Sequence, residues 1–325
     1  MQFAIRRTYP FILEKLTERQ GRTLLLLSGG TGSPKLLRGL LFYCSGAQVT
    51  VIANTGDDIW ISGNLVCPDL DTVIYTAAGI VSERWWGING DTFRTHERLA
   101  SLGHKEALII GELDRAIHIF RSDLLRRGAT LTDATLAMCA SLELSARVLP
   151  MTDDFVPTTI VTDNGEMHIQ DFLVKYQQAP SVSQVRCRAG KMTKEVKTAL
   201  DEHRSVVIGP SNPISSIGPI LEVTGMRQVL KDRFVIAVSP IIRGEPISGP
   251  AGKFMESRGL PVSSLGVAEF YRDFLDILIV DLRDDILQSD LPGDVKLLRA
   301  DTIMYGMEQS KNLATEIVRV LAPQS

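Results

Sequence analysis

Thr23-Leu-Leu-Leu-Leu-Ser-Gly-Gly-Thr-Gly-Ser-Pro-Lys35 is the stretch that decides the fold. Residues 23–27 are apolar after the threonine and show no polar alternation. Such a run predicts a strand buried on both faces, as in a parallel sheet. Ser28-Gly29-Gly30-Thr31-Gly32 then breaks the run. Ser33 suits the cap of a following helix and Pro34 its first position, where a missing N–H costs nothing. Leu36, Leu37, Leu40 and Leu41 supply an apolar helix face. A strand, a glycine turn and a helix N-terminus together can bind an anion, because N–H groups approach it closely and the helix dipole favours negative charge. Lys35 adds a positive charge beside the turn. The spacing is neither Gly-x-Gly-x-x-Gly nor the P-loop pattern. A tight turn without ligand is the competing reading; at the first βα junction of an α/β protein, phosphate binding takes precedence.

Working outward, Val49–Ala53 reads as a second buried strand that runs into Asn54-Thr55-Gly56-Asp57-Asp58. Asp57 lies roughly 20 residues past the glycines, where an acid at the end of a second strand reaches a ribose hydroxyl in dinucleotide-type units. A second acid beside it points to a metal ion or to a hydroxyl that must lose its proton. Asp69 and Asp71 follow in Cys67-Pro-Asp-Leu-Asp-Thr72, making four carboxylates within fifteen residues. An oxygen-rich set of this kind suits magnesium, which borrows its other ligands from water and phosphate. Two separate turns or helix caps would use the same residues.

The rest of the chain repeats the pattern. Trp85-Trp86 are adjacent and could stack on a flat ring or pack in a core. Helical spacing puts Asp114, His118 and Arg121 on one side of a helix, a face suited to phosphate or hydroxyl recognition and also to a surface salt-bridge network. A helix is expected over 133–144. Strand-like stretches at 147–151, 158–162 and 167–174, with an Asp163-Asn164-Gly165 hairpin signal, suggest an antiparallel insertion before a polar linker at about 175–200. Buried strands return at Ser205–Ile208, Phe234–Val238 and, last, Ile277–Val280. Their following loops carry Gly209-Pro-Ser211-Asn212 and, further on, Ser248-Gly-Pro-Ala-Gly-Lys253, a second glycine-lysine turn. A helix is expected over 260–275 and a final one over 309–321. Parallel strands in one sheet would bring these loops to one edge. The expected fold class is therefore α/β: a Rossmann-like, doubly wound, mostly parallel sheet with a small antiparallel or helical insertion. The expected divisions are an N-terminal extension over 1–22, a nucleotide-binding half over 23–146, the insertion over 147–200 and a second half over 201–325.

Composition narrows the class of partner. The 325 residues carry a formal net charge of −3, with 44% hydrophobic and 22% charged residues. No bulk attraction to nucleic acid or anionic membrane follows from that balance. No apolar run approaches the ~20 residues of a membrane helix, and the first 22 residues lack the apolar segment of a secretory signal. Cys44, Cys67, Cys139 and Cys187 are scattered without metal-site spacing, as expected for reduced thiols of a cytoplasmic protein. No nucleophile elbow or Cys/His pair is present, so phosphate chemistry fits better than a covalent enzyme intermediate.

Seven ordered blocks resemble the CofD-type 2-phospho-lactate transferases of deazaflavin coenzyme biosynthesis. They are Ser28–Lys35, Asn54–Asn64, Cys67–Thr72, Trp85–Ile88, Asp114–His118, Gly209–Pro213 and Ser248–Lys253. The resemblance implies transfer of a phosphorylated three-carbon acid from a guanosine diphosphate conjugate to the ribityl hydroxyl of the deazaflavin Fo. GMP leaves, magnesium is the metal, and a homodimer is expected. Block by block, it implies that Gly29, Gly30, Thr31, Gly32 and Lys35 cradle donor phosphates, with Ser211 and Asn212 on the guanosine diphosphate side. Asp57, Asp69, Asp71 and Thr72 face the acceptor hydroxyl or the metal, with Asp57 and Asp71 as metal ligands. Asp71 is first choice for orienting the hydroxyl or ion and Asp69 second. Trp86 joins the substrate site, and Arg115 and His118 contact phosphate or the acid's carboxylate. The chain departs from the family pattern at Leu113, where an arginine is expected, and at Ile242-Arg243-Gly244. A regulatory nucleotide-sugar-binding protein of a related gluconeogenesis-factor-like family is the alternative, and a NAD-dependent oxidoreductase is disfavoured by the incomplete glycine fingerprint.

Overall fold

The computed structural model describes residues 23–321; the expected extension over 1–22 lies outside them. Seven strands form the central sheet: β1 (Leu24–Ser28), β2 (Val49–Ala53), β3 (Arg147–Pro150), β4 (Ser205–Ile208), β5 (Phe234–Val238), β6 (Ile277–Asp281) and β7 (Lys296–Ala300). Their order is β7-β6-β5-β4-β1-β2-β3, and every pairing is parallel. The sheet is thus the doubly wound α/β arrangement expected, and β7 extends it beyond the strand expected to be last.

Burial of β1 on both sides explains its unbroken leucines. Leu25 and Leu27 enter one core, packed with Ile214, Phe254, Val267 and Tyr271. Leu24 and Leu26 enter the other, with Leu36, Leu37, Leu70, Val73 and Ile317. Each face is covered by helices, as a parallel sheet requires. The second core is built on α1 (Gly32–Tyr43), α2 (Pro68–Ala77) and the helix Met307–Leu321. After α3 (Arg94–Ser101) comes α4 (Glu112–Arg126), which frames the site.

Several local expectations shift. Thr31, not Ser33, is the N-cap residue of α1, and Pro34 sits inside the first turn. Gly32 lies so close to the Pro210 carbonyl that no Cβ fits; the helix starts two residues earlier than expected and Ser33 is turned towards Ser211. The strand at 147–150 pairs with β2 in the main sheet, so it does not belong to the antiparallel set. That set is a three-stranded sheet of Thr159–Thr162, Gly165–His168 and Val182–Arg186. The 162/165 hairpin is as expected. Its second strand stops at His168, and Asp171–Lys175 coils instead. The expected linker holds a strand and the helix Lys194–Glu202. Helix Leu131–Ser141 is capped by Thr130 and is separate from α4. All four cysteines are unpaired. No helix among the described residues is long and apolar enough to cross a membrane.

Helix α1 crosses the helix Met307–Leu321 at Gly39, where a Cβ would strike the Ser310 carbonyl. Helix propensity alone favours Ala over Gly by about 1 kcal/mol. Overpacking costs about 1–3 kcal/mol or more, so the clash dominates. Gly39→Ala is expected to lower the urea midpoint and the Tm; an unchanged or raised midpoint would show that the two helices do not pack this closely.

Candidate active site at the switch point

Strand β1 lies between β2 and β4, so the chain leaves it in one direction and later returns on its other side. Loops diverge at such a point and leave a crevice at the carboxyl ends of the strands. Both walls of this crevice are glycine turns. A Cβ on Gly29 would sit 2.6 Å from the Ser216 carbonyl oxygen and 3.0 Å from an Asp69 carboxylate oxygen. Gly30 adopts φ 58, the left-handed region that glycine tolerates. The Ser211 hydroxyl fuses the two walls. It donates to the Gly29 carbonyl, lies 2.7 Å from Ser33 Oγ and accepts from Ser33 N–H at 3.2 Å. Asn212 Oδ1 caps the following turn by accepting from the N–H groups of Ile214 and Ser215.

The carboxylates converge beneath the β1 turn. Pro68 occupies the first position of α2, which places Asp69 and Asp71 in its first turn near the positive end of the helix dipole. Asp57 and Asp69 share one amide: Asn54 Nδ2 donates to Asp57 Oδ1 at 3.0 Å and to Asp69 Oδ2 at 2.8 Å. Gln170 Nε2 donates to the other Asp57 oxygen at 3.2 Å. Neither carboxylate is within salt-bridge reach of a cation among the described residues. Burial, then the charge of Asp69, pushes Asp57 well above the usual carboxylate range, and burial also raises Asp69. Asp58 is raised well above it too, by burial, with one oxygen held by Cys67 Sγ at 3.0 Å and the other without a partner.

Asp71 is held differently. Burial would raise its pKa, but the Arg121 guanidinium and His118 outweigh that and hold it at about 2. Arg121 grips both carboxylate oxygens and donates to the Leu65 carbonyl at 3.1 Å. His118 Nε2 is 3.2 Å from both Asp71 and Asp114. Burial would lower its pKa, yet those two carboxylates raise it to about 8. The Asp114/His118/Arg121 side of α4 is therefore a buried clamp on α2, with Tyr75 OH donating to Asp114 at 2.6 Å, and no surface salt-bridge face. Asp71, Asp114 and His118 each place a ligand atom within 4.8 Å of the others, but Arg121 already neutralises Asp71. The uncompensated pair, Asp57 and Asp69, fits a divalent cation better.

The remaining candidates separate. Thr72 Oγ1 is spent on the Pro68 carbonyl at 2.7 Å. Trp86 is 52% exposed, while the Trp85 ring lies over Lys35 and Arg38. Arg115 is taken up by Glu106 in a two-pronged pair at 2.9 and 2.7 Å. Lys253 is no second phosphate lysine: its Nζ donates to the Gln178 carbonyl at 2.6 Å, with two more carbonyls at 3.4 Å. Leu113 is exposed on the first turn of α4. Arg243 takes φ 49 and Gly244 φ 79 in a tight hairpin, with Arg243 N–H donating to Asp284 at 2.6 Å. Sequence reasoning missed Asn54 and Gln170. Asn54 reads as a turn residue, and Gln170 comes from the insertion, 113 positions from Asp57, with no local signal. Ser28 Oγ, Thr55 Oγ1 and Asn212 Nδ2 are buried without a partner, as polar atoms awaiting a ligand or water would be.

Fold and site define a Rossmann-like α/β protein with a carboxylate-lined crevice at its switch point. The chain belongs to the 2-phospho-L-lactate transferase CofD family, whose sequence model matches residues 24–319. It is 48% identical over 301 residues to the 2-phospho-L-lactate transferase of Methanosarcina acetivorans, covering 91% of this chain and 98% of that one. It is 44% identical over 304 residues to the same-named protein of Methanococcoides burtonii, covering 92% and 99%. A solved Bacillus halodurans protein of the upf0052 family is similar in fold, at TM-score 0.61 and 14% identity over 91% of this chain and 99% of that one.

The sign of the pH dependence follows from His118. A pKa raised from 6.5 to about 8 means its stabilising contribution is fully present below 6.5 and is lost as the pH rises through 8. That loss is about 2 kcal/mol. An NMR titration is expected to place His118 near 8 in the natural protein and lower in Asp71→Asn. A value at or below 6.5 in the natural protein would refute the clamp. Arg121→Met leaves Asp71 buried and unpaired, and is expected to destabilise the fold by about 3–5 kcal/mol in urea unfolding.

Proposed function

We propose that the protein transfers the phosphorylated three-carbon acid named in its relatives, 2-phospho-L-lactate, from a guanosine diphosphate conjugate to the ribityl hydroxyl of Fo, releasing GMP. The observation that carries this reading is the close approach of the glycine turn to Asp69: a Cβ on Gly29 would lie 3.0 Å from the carboxylate oxygen that also accepts from Asn54, the amide shared with Asp57. A phosphate seated on the turn would lie beside both acids. Transfer of a substituted phosphoryl group needs positioning and charge neutralisation rather than a protein nucleophile.

In this reading Gly29–Gly32 and Lys35 hold the donor phosphates, and Ser211 holds the turn in shape from behind. The unpartnered Nδ2 of Asn212 faces donor oxygens. Asp57 and Asp69 hold magnesium, which when bound would neutralise phosphate charge. Asp69, placed between turn and amide, orients the acceptor hydroxyl. Asp71 keeps His118 and Arg121 in place and sets the position of α2, so its part is positioning. The acceptor oxygen bonds to the phosphorus, the bond to the GMP oxygen breaks, and the hydroxyl proton passes to a carboxylate of the crevice that the metal leaves free. The protein acts as a small-molecule enzyme in the cytoplasm, as a homodimer, with no nucleic-acid or membrane partner.

Mass spectrometry of a reaction holding Fo, magnesium and the guanosine diphosphate conjugates of lactate, enolpyruvate or glycerate tests the proposal. The expected product has the mass of Fo plus the phosphorylated acid, with GMP formed in equal amount; absence of any such mass with all three donors would falsify it. Asp69→Asn is expected to lower kcat by about 100-fold or more while GDP still binds.

A further inference from the structure

Helix α1 carries two cations that face the same way, Lys35 and Arg38. Spaced three apart, they lie on one side of the helix and repel each other weakly. No carboxylate among the described residues is within salt-bridge distance of either, although carboxylates pair with Arg115, Arg121 and Arg283 elsewhere. The Trp85 ring covers them instead, 5.5 Å from Lys35 Nζ and 4.7 Å from the Arg38 guanidinium carbon. Arg38 Nε is buried with no partner. Trp85 sits at φ 64, a conformation that costs a bulky residue energy and recurs at ligand clamps. Burial and the neighbouring Arg38 lower the Lys35 pKa. Two adjacent cations, partly buried and unmatched by any acid, form an incomplete electrostatic arrangement.

Geometry indicates the anion that completes it. Side chains on a helix lean towards its N-terminus, and the Gly29–Gly32 turn lies at that end of α1. Two positive charges match two negative ones, as on a diphosphate or on a dicarboxylate such as malonate. The fork of Arg38 also suits phosphate oxygens held pairwise.

We propose that Arg38, with Lys35 and beneath Trp85, forms a two-cation clamp for the diphosphate of a nucleoside diphosphate ligand. This rests on the reading of the glycine turn as the donor site. Arg38 thereby becomes a substrate-binding residue, and the Trp85 ring becomes a cover whose environment changes when the anion arrives.

Tryptophan fluorescence tests this, because the chain has three tryptophans and Trp85 alone lies over the two cations. GDP and inorganic pyrophosphate are each titrated into the natural protein, Arg38→Met, Arg38→Lys and Trp85→Phe, with malonate as the carboxylate probe. GDP and pyrophosphate are expected to change the fluorescence of the natural protein, and the change is expected to vanish in Trp85→Phe. Binding measured by calorimetry is expected to weaken about 10–100-fold in Arg38→Met and less in Arg38→Lys, with unfolding midpoints matching the natural protein. Undiminished pyrophosphate and GDP affinity in Arg38→Met would overturn the clamp. So would loss of malonate binding alone, which would assign the cations to a carboxylate. If the natural protein binds pyrophosphate through Arg38 but yields no product from Fo, the transferase reading fails and the clamp stands.

Discussion

Two buried carboxylates sharing a single amide set the terms for the rest of this molecule. Asp57 and Asp69 are drawn together by Asn54 Nδ2, and no cation among the described residues balances them. Like charges at that distance in a poorly solvated place cannot both stay ionised without help. The protein therefore either keeps a proton between them or takes a cation from outside. Everything around the pair is arranged to preserve this tension. Gln170 reaches in from the insertion to fix Asp57, and the glycine turn closes over Asp69. A few ångströms away, the opposite solution is used: Asp71 has a full guanidinium and an imidazole to itself.

The contrast separates two jobs that the acids share in composition. Asp71, with Arg121 and His118, is a buried ion network that locks α4 to α2; its charge is already matched. Asp57 and Asp69 are left in need of charge, which is the condition under which a site binds something. On α1 the groups without an acid partner among the described residues are cations, Lys35 and Arg38, held against Trp85. Unmatched positive and unmatched negative groups in one protein suit a phosphate and a metal ion together.

Much of this was legible in the sequence. The apolar runs at 23–27, 49–53, 205–208, 234–238 and 277–280 have too few polar residues to be anything but doubly buried strands, and they form one parallel sheet. The glycine turn and the four aspartates were visible because their neighbours in sequence are also their neighbours in space. The strand at 147–150 reads with the antiparallel set yet joins the main sheet, because a run beside a hairpin gives no sign of which sheet it joins. Lys253 follows a glycine loop as Lys35 does, but only tertiary packing brings three carbonyls to its amine. The division of labour among Asp57, Asp69 and Asp71 is set by Arg121 and Gln170, 50 and 113 residues from their partners, and spacing carries no information on that.

The claim that Asp57 and Asp69 are the cation-binding pair is tested most directly by electron paramagnetic resonance of Mn2+ added to the protein with GDP present. The account predicts that bound Mn2+ is lost in Asp57→Asn and in Asp69→Asn and persists in Asp114→Asn. Loss of the ion in Asp114→Asn, with Asp57→Asn and Asp69→Asn still binding it, would move the site to Asp71, Asp114 and His118 and contradict the account.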